Sequence, residues 1–91
     1  MIEIEFDPAK DAANRRKHGI ALAAAAVLFD GPILRQADDR FDYGEERWLA
    51  VGRIGDETFT ACYTMRGQVY RVISLRRANR MEREAYAQVY N

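Results

Sequence analysis

Apolar and polar positions alternate with two different periods along this chain. Residues 8–18 read as a helix. Asp7-Pro8 sets its start, because the carboxylate caps free N–H groups and proline suits the first helical position. Gly19 sets its end. Only Ala9, Ala12 and Ala13 are available as an inner face, which predicts a lightly packed helix. In residues 21–29 the apolar side chains Leu22, Ala25, Ala26 and Phe29 recur at helical spacing, and Asp30-Gly31-Pro32 ends that second helix.

Beyond residue 32 the period shortens to two. Residues 47–54 ("RWLAVGRI") and 57–64 ("ETFTACYT") flank Gly55-Asp56 and predict a hairpin. A turn over 65–68 leads to a strand over 69–75, and short strands over 33–37 and 2–6 extend the sheet. Simple alternation puts Val69, Arg71, Ile73 and Leu75 on one face, and Tyr70, Val72, Ser74 and Arg76 on the other. Asn79 and Glu82 form a capping box for a last helix, with Met81, Ala85 and Val89 as its predicted inner face. The expected fold class is α+β: two N-terminal helices and a C-terminal helix packed on an antiparallel sheet.

Composition adds limits. Residues 1–91 are enough for one domain with one modest core. No stretch reaches the roughly 18 consecutive apolar residues of a membrane span. The acidic start "MIEIEFD" lacks the basic and apolar regions of a secretory signal, so a cytoplasmic location is expected. The lone Cys62, among β-prone neighbours, reads as a small buried hydrophobe. With one cysteine and one histidine, no metal site and no cofactor are expected.

Formal net charge is zero, yet charge is segregated. Residues 30–46 hold six acids against two arginines, whereas residues 66–83 hold six arginines against one glutamate. Such blocks are ordinarily solvated faces, but basic blocks that meet in space make an anion site. Arg71, inside a central strand, needs a partner: an internal carboxylate such as Glu45 or Glu46, or an external phosphate. Arg76 and Arg77, at the strand-to-helix junction, read equally as structural or phosphate-binding. Arg80 has Glu84 four residues on. His18 is either a helix-end residue suited to the dipole or a proton-transfer group beside Lys17.

Three strings, "FDPAKDAANRRKHGI", "DDRFDYGEERWLAVGRI" and "YRVISLRRANRMEREAY", resemble in that order the motif blocks of the BrnT toxin family. The most specific elements are Asn14, Lys17, His18 and Gly19; Gly44, Glu45 and Arg47; and Arg71, Ile73, Ser74, Arg76, Glu82 and Tyr86. Ala21 stands where many relatives have a capping serine, and Leu75 where a small residue is common. The resemblance implies a RelE-like fold and an RNA-cleaving type II toxin. It also implies a BrnA-like antitoxin with a ribbon-helix-helix DNA-binding dimer. The expected complex is 2:2, it represses its own operon, and it touches operator DNA only through the antitoxin. Metal-free RNA cleavage needs a base for the 2′-hydroxyl, cations at phosphorus and an acid for the leaving oxygen. Lys17, His18 and Glu45 are the proton-transfer candidates. Arg71, Arg76 and Arg77 are candidates for the charge at phosphorus, Arg77 and Arg80 for RNA contact, and Tyr63 or Tyr86 for stacking a base or donating a hydrogen bond. A second reading is a non-catalytic adaptor that only binds a DNA-binding partner.

Overall fold

The computed structural model describes residues 2–40 and 42–90; Phe41, within the second motif block, lies outside them. In chain order the elements are β1 (Ile4–Glu5), α1 (Pro8–His18), a 3₁₀ turn (Leu22–Ala24) leading into α2 (Ala25–Asp30), β2 (Leu34–Ala37), β3 (Trp48–Ile54), β4 (Glu57–Arg66), β5 (Val69–Arg77) and α3 (Arg80–Tyr90). Among the described residues the strands form one sheet in the order β1-β5-β4-β3-β2. Strands β2 to β5 are an antiparallel meander. β1 joins the outer edge of β5 in parallel, so the α+β fold has a mixed sheet. A two-residue strand is too short for its pattern to reveal its direction.

The predicted caps of α1 are present: Asp7 accepts from the Ala9 N–H at 2.7 Å, and Gly19 ends the helix at φ +70°. Its packing differs from expectation. Ala9, Ala12 and Ala13 are exposed, and the buried residue is Asn14, 5% exposed. β1 pairs with β5 only at Tyr70 and Arg71. Further along that edge, the Asn14 carboxamide takes the place of a strand. It donates to the Leu75 carbonyl at 2.8 Å and accepts from the Leu75 N–H at 3.0 Å. It also donates to the Ile20 carbonyl at 2.9 Å, just past the end of α1. The second helix gets its cap from the first. Ala21 offers no side-chain cap, and Asp11 of α1 accepts from the Leu22 N–H at 2.8 Å.

The faces of β5 are re-sorted by a bulge. Ser74 pairs with Cys62 but Val72 pairs with Tyr63, which leaves Ile73 as the extra residue. Residues opposite one another across a ladder share a face. Val72 and Leu75 therefore lie with Tyr63 and Ala61, and Arg71, Ser74 and Arg76 lie with Thr64, Cys62 and Thr60. Alternation without the bulge had separated Arg71 from Arg76. The first face carries the core: Tyr63, Val72, Leu75, Ala50 and Ala61 pack against Leu22, Ala25, Leu28 and Phe29. The close approach of α2 to β3 depends on Gly52, where a Cβ would fall 2.9 Å from Leu28 Cγ.

α3 lies on the other face. Met81, Ala85 and Val89 are not its inner side: all three are exposed, Met81 at 80%. Tyr86 does the packing, against Val51, Ala78 and Leu34, and its hydroxyl donates to the Pro32 carbonyl at 2.9 Å. One aromatic ring with a satisfied hydroxyl outweighs a thin stripe of Met, Ala and Val. Among the described residues no helix is long and apolar enough to cross a membrane.

Asn14→Ala strands the Leu75 N–H and two carbonyls. It is expected to cost about 3 kcal/mol, since each buried polar group left unpaired costs roughly 1–3 kcal/mol. Asn14→Asp is expected to recover little, because its carboxylate would face two carbonyl oxygens. Urea denaturation of the three proteins checks both.

Candidate active site

Asn14 decides what else α1 presents at this edge. Lys10 and Lys17 lie four residues before and three after it, on the same helical face. His18 is the last helical residue before the Gly19 stop. Together with Ser74, Arg76, Thr60 and Arg40 they line an open cleft of about 440 Å³ between α1 and the sheet. No Asp or Glu is among the lining residues.

Arg76 is held in place. Its Nη1 and Nη2 donate to the two oxygens of Glu82 at 2.8 and 3.0 Å. The same carboxylate accepts from the Thr60 hydroxyl at 2.9 Å and from the Asn79 N–H at 2.8 Å. Asn79 returns the bond through the Glu82 N–H at 2.9 Å, so the predicted capping box is formed. Burial pushes the Glu82 carboxyl up. The bonds from Arg76, Asn79 and Thr60 outweigh burial and hold it below its ordinary value. His18 is lowered from its ordinary 6.5, first by burial and then by the charges of Lys17 and Arg76. The neutral imidazole therefore predominates at neutral pH.

Arg40 reaches the cleft from the β2–β3 connection, fixed by a two-bond pairing with Asp38 at 2.7 and 2.9 Å. Bonds from Arg40 hold the buried Asp38 carboxyl down at about 2, against burial, which raises it. Behind it, burial and the Asp38 charge push the Cys62 thiol up to about 11, so it stays protonated and serves as packing.

Of the residues singled out from sequence, Lys17, His18 and Arg76 meet in this cleft. Arg71 shares the face of Arg76 but pairs with Glu5 at 3.4 Å. Glu45 and Glu46, expected as its partners, lie on the β2–β3 connection by a different hollow with Arg35 and Trp48. Glu45 pairs there with Arg47 at 3.0 Å and does not line the cleft. Arg77 is opposite Phe59, on the other face, and pairs with Glu57 at 2.9 Å. Arg80 pairs with Glu84 at 3.0 Å, as its spacing suggests. Tyr63 is fully buried, edge-on to Phe29 at 4.9 Å, and Tyr86 is buried under α3. Neither ring has a free face for a base, so the proposed stacking is corrected. Lys10 and Arg40 were not singled out, and Ser74 was named only as a motif residue. Lys10 lies seven residues before Lys17, on the same helical face, and Glu82 had been read as a helix cap and a motif residue.

The family model described as the ribonuclease toxin BrnT of type II toxin–antitoxin systems matches residues 6–82. Among solved structures, the 1.1 Å crystal structure of the Brucella abortus ribonuclease toxin BrnT is similar in fold, with a TM-score of 0.64 and 23% identity. That match covers 88% of this chain and 100% of the other. No curated protein sequence matches the chain.

Asp38→Asn is expected to destabilise the protein by about 2 kcal/mol at neutral pH, from a carboxyl lowered from 3.8 to about 2. The folded-state value is depressed, so this stability is fully present above the unfolded value and is lost as pH falls towards 2. Denaturation curves of the two proteins should differ at pH 7 and converge near pH 2.

Proposed function

The chain belongs to the BrnT family of ribonuclease toxins of type II toxin–antitoxin systems, and we propose that it cleaves RNA in the α1–β5 cleft without a metal ion. The supporting observation is the lining: Lys10, Lys17, His18, Arg40 and Arg76 with no carboxylate. Such a cleft suits a phosphodiester and repels Mg²⁺. Among the described residues no group of three or more His, Cys, Asp or Glu could hold a metal ion.

In this reading neutral His18 takes the proton of the 2′-hydroxyl, and the 2′-oxygen attacks the adjacent phosphorus. Arg76 and Lys17 stabilise the charge on the pentacoordinate phosphorus. The P–O5′ bond then breaks, and the leaving oxygen takes a proton from Lys17. The products are a 2′,3′-cyclic phosphate and a 5′-hydroxyl. Arg71 extends the cationic strip towards β1 and takes a flanking phosphate; its long contact with exposed Glu5 is a weak competitor. The reaction takes place in the cytoplasm, where the RNA is.

Purified protein is expected to cleave RNA in EDTA and to leave cyclic phosphate ends. Cleavage only after Mg²⁺ is added would overturn the mechanism. His18→Ala is expected to lower the rate by about 10²–10⁴-fold, and Arg76→Ala by about 10²–10³-fold. Arg53→Ala, beside the β3–β4 hairpin, serves as the unaffected control. The pH profile of kcat/KM should rise through a value below 6.5, where His18 loses its proton, and be flat at neutral pH.

Membership in a type II system supports a protein antitoxin. We assign this role to a BrnA-like ribbon-helix-helix protein that covers the cleft, forms a 2:2 complex and represses its own operon. A two-fold antitoxin dimer presents two identical toxin sites. DNA contact belongs to the antitoxin. Light scattering of the co-purified complex should give two copies of each chain. Operator titrations should show the same salt slope with Arg77 and Arg80 neutralised. A 1:1 mass or a shallower slope would show the assignment to be wrong.

A further inference from the structure

Glu82 is joined to three parts of the fold at once. Its Oε1 accepts from Arg76 on β5, from Thr60 on β4 and from the Asn79 N–H at the start of α3, and its Oε2 accepts from Arg76 again. The neighbouring Arg77–Glu57 pair is a loose surface contact. The Arg77–Glu57 side chains are 66% and 54% exposed, against 32% and 15% for Arg76–Glu82. A helix cap needs one accepting oxygen from Glu82, and glutamine supplies it equally well. The second oxygen and the charge are not needed for the cap, yet both are spent on Arg76.

The guanidinium has five N–H groups. Glu82 takes two, and the Arg77 carbonyl takes one at 3.3 Å. Nε–H and one Nη2 hydrogen have no acceptor among the described residues. The carboxylate thus fixes the plane of the group and leaves part of its donor set for a ligand in the cleft.

We propose that Glu82 is a positioning residue for the cleavage reaction, holding Arg76 through its two-bond pairing in the orientation that meets the charge at phosphorus. This rests on the reading of Arg76 given above.

The test is steady-state RNA cleavage by the full chain carrying Glu82→Gln, Arg76→Ala, both together, or Asn79→Ala. Glu82→Gln keeps the cap acceptor and loses the ion pair. It is expected to unfold near the wild-type temperature, to lower kcat by about ten- to a hundredfold, and to change KM little, as for a displaced catalytic group. The double variant should be no slower than Arg76→Ala alone, because Glu82 acts only through Arg76. Asn79→Ala loses the other half of the cap; it should melt earlier yet keep kcat within about twofold. Should Glu82→Gln fail to fold, Glu82→Asp keeps the charge on a shorter arm and is expected to lose kcat in the same way.

Wild-type kcat in folded Glu82→Gln, with Arg76→Ala inactive, would overturn the positioning role and leave the cleft reading intact. A faster Glu82→Gln enzyme would mean that Glu82 competes with RNA for Arg76, and would also overturn it. So would a double variant slower than Arg76→Ala by the full Glu82→Gln factor. Wild-type activity in Arg76→Ala would remove the parent reading itself.

Discussion

Among the described residues, β5 has no strand on its outer side past Arg71, and the Asn14 side-chain amide closes that edge. The three hydrogen bonds of Asn14 tie the middle of α1 to Leu75 and to the chain just past the helix end. A carboxamide suits this place because it carries a donor and an acceptor side by side, the pairing that a neighbouring strand would offer. The helix is otherwise almost without apolar grip, since its alanines face solvent. Its placement therefore depends on polar bonds of fixed geometry more than on burial. Asp11 adds a second such bond by capping the following turn. The lysines on either side of Asn14 take their positions over the sheet from this anchor.

The zero net charge becomes intelligible in three dimensions. Arg15, Arg40, Arg47, Arg71, Arg76, Arg77 and Arg80 each have a carboxylate within 3.4 Å. These pairs differ in burial, and Arg77–Glu57 and Arg80–Glu84, exposed on both sides, add little to stability. Their effect is to cancel the field over most of the surface. Among the described residues no carboxylate is paired with Lys10 or Lys17. The cleft is thus a local excess of positive charge on a neutral molecule.

What was legible in the sequence was local. The Asp7 and Gly19 caps, the Gly55-Asp56 hairpin and the Asn79–Glu82 box are each decided within a few residues, and each is present. Lys17 and His18 could be placed at the end of α1, just before the Gly19 stop. Three features depended on distant partners and were not legible. Arg71 finds Glu5 across a parallel pairing that no spacing encodes. Tyr63 and Tyr86, eligible for stacking by residue type, are buried by Phe29 and by α3 packing. Asn14 was left out of the predicted inner face of α1, because its role needs the edge of β5.

The Ile73 bulge has an evolutionary side. With Ile73 left out of the count, Tyr70, Val72 and Leu75 alternate regularly with Arg71, Ser74 and Arg76. The extra residue is therefore not needed to sort core from cleft. It adds local bend and twist to the strand that carries Arg76. A lineage that lost this codon would keep the same side chains on the core face, so selection for folding would scarcely notice. The direction in which Arg76 enters the cleft would change. Chain length at one position thus gives drift a way to re-aim the cleft arginine while the fold persists.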